Sequence, residues 1–167
     1  MNENIIITER RSDAELLQKL LPDEIVGNSR FIPSAGFSSA VSKAKSIAIR
    51  LRHPVFLVLD SDTAEHNEAE EKREQIEYIF RSLGKSDQVN VFLFEPEIEV
   101  IFFESEKVRE KVLRMSPRTN SFYPRQIIGS IGNRSRLIDK LDNKDIESLR
   151  KETSLKELIR LCSENTA

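Results

Sequence analysis

Pro54-Val55-Phe56-Leu57-Val58-Leu59-Asp60-Ser61-Asp62 decides the fold. The five consecutive apolar residues from Val55 to Leu59 read as a strand covered on both faces, the pattern of a central strand in a parallel sheet. The run ends at two carboxylates one residue apart. Strand side chains alternate with period two, so Asp60 and Asp62 are expected to leave the strand tip on one side, with Ser61 opposite. Two like charges that close repel each other unless a cation or a proton sits between them. Hard oxygen ligands favour Mg2+, with Mn2+ as a substitute. A plainer reading makes Asp-Ser-Asp loop chemistry or the N-cap of the next helix.

Upstream, Asn4 to Thr8 is short and β-branched, a first strand with Glu9 at its carboxyl end. Open α/β sheets carry their functional groups at that end. Ser12-Asp13-Ala14-Glu15 is a capping-box pattern, and Leu16, Leu17, Leu20 and Leu21 give the helix it opens one apolar face. A weaker strand follows at Ser29 to Pro33, then a small-residue turn, Ser34 to Ser39, and a helix with Val41, Ala44, Ile47, Ala48 and Leu51 inward. Downstream of Asp62, an acidic linker leads into a helix with Ile76, Ile79, Phe80 and Leu83 inward and Gly84 as its C-cap. Val89 to Phe94 is a fourth strand. Strands and helices in alternation predict an α/β protein with a mainly parallel, four-stranded, Rossmann-like sheet flanked by helices. Beyond it lie helical patterns at about 97–103, 105–115, 134–142 and 154–163, the last with its own capping box, Ser154 to Glu157. Residues 116–133, rich in Pro, Gly, Ser, Thr and Asn, read as a loop facing a substrate.

At 167 residues the chain suits one domain, read here as an α/β core over 1–104 and a helical C-terminal extension over 105–167 packed on it. No apolar run reaches membrane-spanning length and no signal peptide opens the chain, so a soluble cytoplasmic protein with no membrane partner is expected. A lone cysteine, Cys162, on an apolar helical face reads as a buried structural thiol. With His53 and His66 the only histidines, a structural zinc site or a Cys/His catalytic pair is not expected. Net charge is −2, but residues 60–77 hold eight acids against two bases, and 105–151 hold twelve bases against six acids. An acidic lobe beside a basic one suits metal ions near a phosphate-holding surface, and equally two solvated helical faces.

Acidic residues therefore follow three strands: Glu9, then Asp60 and Asp62, then Glu97 and Glu99. In a parallel sheet these strand ends share one edge. The order resembles the TOPRIM domain, the α/β metal-binding module of topoisomerases, bacterial primases and several nucleases, with a Glu after its first strand and Asp-x-Asp after a later one. Ile7-Thr8-Glu9-Arg10-Arg11-Ser12-Asp13 and Leu59-Asp60-Ser61-Asp62 carry the resemblance. The nearest flavour is that of the overcoming-lysogenization-defect (OLD) family nucleases, through the Pro33-Ser34-Ala35-Gly36 turn and Ile98-Glu99. The resemblance covers about residues 4–103. It departs at Arg10, where the family has a Gly for a tight turn, so a remodelled turn or a non-cleaving copy is one expectation.

The resemblance implies a Mg2+-dependent phosphodiester hydrolase acting on DNA or RNA, in a setting such as bacterial anti-phage defence. Glu9, Asp60 and Asp62 are the expected catalytic residues, and the same three with Glu99 the expected metal ligands, Mn2+ substituting for Mg2+. Asp13 and Glu97 are secondary candidates, Asp13 equally readable as a first-turn helix acid and Glu97 better read as a helix-start residue than as a ligand. Arg10 and Arg11 are candidates for holding the phosphate backbone. The rival expectation is a non-catalytic or partner-activated subunit that binds nucleic acid or a separate ATPase, with homo-oligomerisation open. A primase-like role lacks a zinc-binding region to support it.

Overall fold

The computed structural model describes residues 3–116 and 123–165. Strands β1 (Asn4–Thr8), β2 (Ser29–Pro33), β3 (Val55–Asp60) and β4 (Val89–Phe94) form one sheet in the order β2-β1-β3-β4, every pair parallel. Helices α1 (Arg11–Leu20), α2 (Asp23–Gly27), α3 (Phe37–Arg50) and α4 (His66–Ser82) connect them. A 3-10 turn at Ile98–Val100 then opens a helical series: α5 (Ile101–Glu104), α6 (Glu106–Met115), α7 (Pro124–Ile131), α8 (Arg134–Ile138), α9 (Asn143–Glu152) and α10 (Leu155–Glu164). The fold is the expected Rossmann-like α/β architecture. Among the described residues no helix is long and apolar enough to cross a membrane.

Period-two alternation sorts the sheet residues between two cores. Ile5, Ile7, Val55, Leu57 and Leu59 point to the face covered by α3 and α4, where Ala40, Ala44, Ala48 and Phe80 meet them. Ile6, Phe56, Val58, Phe92 and Phe94 point to the other face, packing with α1 and with Phe102, Val112, Leu149 and Leu158 of the C-terminal helices. Each such large side chain, once buried, contributes about 1.5–3 kcal/mol. Helices α5 to α10 are thus one wall of the sheet's own core and not an appendage.

Several local expectations give way. Helix α1 starts at Arg11 with Arg10 as N-cap and no side-chain cap, so the Ser12–Glu15 box does not form. Both side chains have charged partners instead, Glu15 with Arg11 and Ser12 with Arg134. Nor does Ser154 cap α10, because Thr153 Oγ1 takes the Leu155 N–H and Glu157 pairs with Arg160. Leu83 lies past the end of α4 and is 40 % exposed rather than inward. Much of the expected loop 116–133 is helical. Pro124 sits at the first turn of α7, Ile127 and Ile128 are buried, and Gly132 follows at φ 127. Residues 117–122 of that loop lie outside the described residues. Helix α9, unmarked by apolar periodicity, is set by an Asp142/Asp145 capping box.

From β1 the chain runs outward to β2, then crosses back to lay β3 and β4 on the other side. The strand order reverses between β1 and β3. Open α/β sheets bind ligands in the crevice at such a point, beyond the carboxyl ends of the strands. Glu9 and Asp60 stand at those two ends.

Candidate active site

Register brings the site together. Thr8 pairs with Val58 and Asp60 with Phe94, so Glu9, Asp60 and the turn after β4 share one rim. Glu9 is held by its backbone, whose carbonyl accepts the Gly36 N–H at 2.8 Å. Gly36, at φ 100, is where the Pro33-Ser34-Ala35-Gly36 turn needs a residue without a side chain. Arg10, by contrast, lies in ordinary extended backbone (φ −136, ψ 156), so the position after Glu9 needs no glycine here.

Glu9 is 5 % exposed, and among the described residues no donor reaches its Oε1. Burial, reinforced by the Asp60 and Asp62 charges, raises its pKa to about 7. Asp60 is equally enclosed but saturated. Its Oδ1 accepts the Ile98 N–H at 2.9 Å, while its Oδ2 accepts from Arg125 Nη2 at 2.7 Å and Arg10 Nη2 at 3.2 Å. Burial still raises its pKa above the usual range.

The expected pairing of Asp60 and Asp62 on one side of the strand is not what the chain does. The strand ends at Asp60, and Asp62 leaves it in the left-handed region at φ 61, so period-two alternation no longer governs it. Its side chain is 62 % exposed and meets Lys72 Nζ at 3.2 Å. Lys72 also donates to the Asp60 and Ser61 carbonyls and lies over the Phe37 ring. Helix α4 starts only at His66, so neither aspartate is its N-cap.

The basic C-terminal region enters the rim from the far side. Arg125, near the start of α7, forks onto Glu99 with Nε and Nη2 both at 3.1 Å, shares Nη2 with Asp60, and places Nη1 3.2 Å from Glu97. Its backbone N–H also donates to Glu97 at 2.6 Å. Arg134, at the start of α8, lies 2.8 Å from Asp13 and 3.4 Å from Glu99. Burial disfavours the Arg125 charge, but Glu99 and Asp60 outweigh it and hold the guanidinium protonated. Burial raises the Glu97 pKa despite the Arg125 contacts.

All the acids read from the sequence, Glu9, Asp13, Asp60, Asp62, Glu97 and Glu99, therefore belong to one rim. Sequence reasoning missed its internal cations, Lys72, Arg125 and Arg134. The signals for α7 were a Pro at its start and a Gly past its end, punctuation that a loop reading absorbed. Arg11 stays outside, 85 % exposed beside Glu15. Six carboxyl groups share four cations, counting Arg10, and among the six Glu9 holds its proton to about pH 7. The all-oxygen donor set and the orphaned Glu9 oxygen are of the kind a hard divalent cation takes. Among the described residues, the group of three ligating side chains with atoms all within 4.8 Å of one another is a different one, His66 and Glu70 of α4 with Glu95 of the turn after β4. Glu9, Asp60, Asp62 and Glu99 are not drawn that close, with Arg125 wedged between Asp60 and Glu99.

What fold and site define is a Rossmann-like α/β protein with a carboxylate rim at its topological switch point. Comparison with protein-family models, curated proteins and solved structures finds no match to the chain.

Proposed function

We propose that the protein is a divalent-metal-dependent phosphodiester hydrolase acting on DNA or RNA, of the TOPRIM type. The observation that carries this reading is Glu9, a buried carboxyl with an unpartnered oxygen beside Asp60 at the strand ends where α/β sheets work. Glu9, Asp60, Asp62 and Glu99 would hold Mg2+ or Mn2+. Bound there, such a cation supplies Lewis acidity toward a phosphoryl oxygen and makes water more acidic. The chain supplies the rest. Glu9, with a pKa near 7, is matched to taking a proton from an attacking water. The Ile98 N–H fixes the Asp60 carboxylate, and Arg10 at the rim, with the exposed Arg11 outside it, would hold a phosphate backbone.

The test is cleavage of plasmid DNA and of RNA with Mg2+ or Mn2+, with Asp60→Ala and Asp62→Ala as comparisons. Each substitution is expected to cost at least the roughly 10–100-fold by which metal sites weaken when even a partner of a ligand is lost. Rates unchanged in both variants end the proposal. A second reading, a non-catalytic or partner-activated subunit that binds nucleic acid or an ATPase, draws on the guanidinium of Arg125 already seated among the carboxylates. Absence of cleavage with retained nucleic-acid or partner binding favours it.

A further inference from the structure

Every carboxylate of the candidate metal set except Glu9 is already answered by a cation of this chain. Both oxygens of Glu99 accept from Arg125, Asp60 Oδ2 accepts from the same guanidinium, and Asp62 is paired with Lys72. Glu97, next to them, receives both the Arg125 side chain and its backbone N–H. Arg134 closes the outer side by joining Asp13 to Glu99. Mg2+ binds its oxygen ligands at about 2.0–2.1 Å. Arg125 Nη2 is 2.7 Å from Asp60 Oδ2. Two cations on one oxygen at those distances repel strongly in a site this enclosed. The Glu9 Oε1 meanwhile, on the other side of the rim, has no hydrogen-bond donor among the described residues.

We propose that Arg125, seconded by Arg134, is a built-in counter-cation competing with a divalent metal ion for Asp60 and Glu99, so that α7 and α8 must release these carboxylates before the site loads fully. The proposal rests on the metal-site reading above and names the regulation of that site. The two helices are short and joined through Gly132 at φ 127. A cleft of about 260 Å3 lies beside Arg134 between α1 and α8, lined by Leu16, Lys19 and Ile138 among others, so the segment has room next to it. In the closed form the protein carries its own ions. In the loaded form those guanidiniums face outward.

The experiment is Mn2+ titration of the full chain by calorimetry, for the parent, Arg125→Gln, Arg134→Gln and, as a control on α8, Arg136→Gln. Competition predicts that Arg125→Gln tightens Mn2+ binding by about tenfold or more, Arg134→Gln by about threefold, and Arg136→Gln not at all. Arg125→Lys, which keeps a charge but loses the fork, is expected between parent and Arg125→Gln and serves if Arg125→Gln fails to fold. Hydrogen exchange supplies a second readout. The Arg125 amide, bonded to Glu97, should exchange faster in the parent once Mn2+ is added. Equal or weaker Mn2+ binding in Arg125→Gln overturns the competition while leaving the metal site standing. No binding to any variant overturns both. Tight binding by Arg125→Gln with no cleavage of any nucleic acid keeps the competition and removes the hydrolase reading.

Discussion

Glu9 is the residue on which the chemistry turns. A carboxyl in water loses its proton near 4.5, whereas this one, enclosed and facing Asp60 and Asp62, holds it to about pH 7. Between those values the folded protein binds more protons than the unfolded chain, so Glu9 makes stability fall as pH rises across that window. Raised Asp60 and Glu97 carboxyls act in the same sense. The contribution of Glu9 is isolated by substitution. Metal-free Glu9→Gln should show a shallower fall in thermal midpoint from pH 5 to pH 8, and should melt above the parent at pH 8. Parallel profiles for the two proteins would contradict the burial account. The identities of the rim acids were legible in the sequence, since each follows a strand whose apolar pattern is unmistakable. Their partners were not. An arginine that pairs more than sixty residues away leaves no local trace, and Arg125 looked like one of many basic residues in a polar stretch.

At the scale of elements, the segment that controls the rim is the α7–α8 junction. Gly132 sits at φ 127, and a methyl group there would come within 3.0 Å of the Arg136 side chain. Gly132→Ala is therefore expected to destabilise by about 1–3 kcal/mol, read by urea unfolding, because an L-residue is strained at that φ whatever its neighbours do. A loss below about 0.5 kcal/mol would mean the junction relaxes freely. Strands and the long helices were legible because burial on both faces makes β1, β3 and β4 short, nearly unbroken apolar runs and imposes a three-to-four spacing on α3 and α4. The C-terminal helices were legible only in part. Helix α9 is held by caps and ion pairs, and Asp145, with Lys111, the Asp142 N–H and Lys107 outweighing its burial, is pulled to about 2. Such polar contacts do not repeat with a helical period.

For the molecule as a whole, the segregation of charge along the chain becomes a meeting of charge in space. Part of the basic 105–151 stretch turns inward, Arg125 and Arg134 onto the rim and Lys107 and Lys111 onto Asp145, leaving less of it for a phosphate-holding surface than its composition implies. The sequence boundary near residue 104 likewise divides a single core. Ile6, Phe56, Val58 and Phe94 share their cluster with Phe102, Val112, Leu149 and Leu158. Residues 1–104 alone are expected to lack a cooperative thermal transition by circular dichroism, since one sheet face loses its cover. A sharp transition matching that of the full chain would make the extension a separate unit.

Binding of a divalent ion at the carboxylate rim is the property from which the proposed chemistry follows. Electron paramagnetic resonance of Mn2+ titrated into the parent, Glu9→Gln, Asp60→Asn and His66→Ala tests this directly. Stoichiometric binding by the parent that is lost in Glu9→Gln and Asp60→Asn and kept in His66→Ala is the expected result. Binding that survives both rim substitutions, or disappears only with His66, would place the ion elsewhere and leave the rim a network of internal ion pairs.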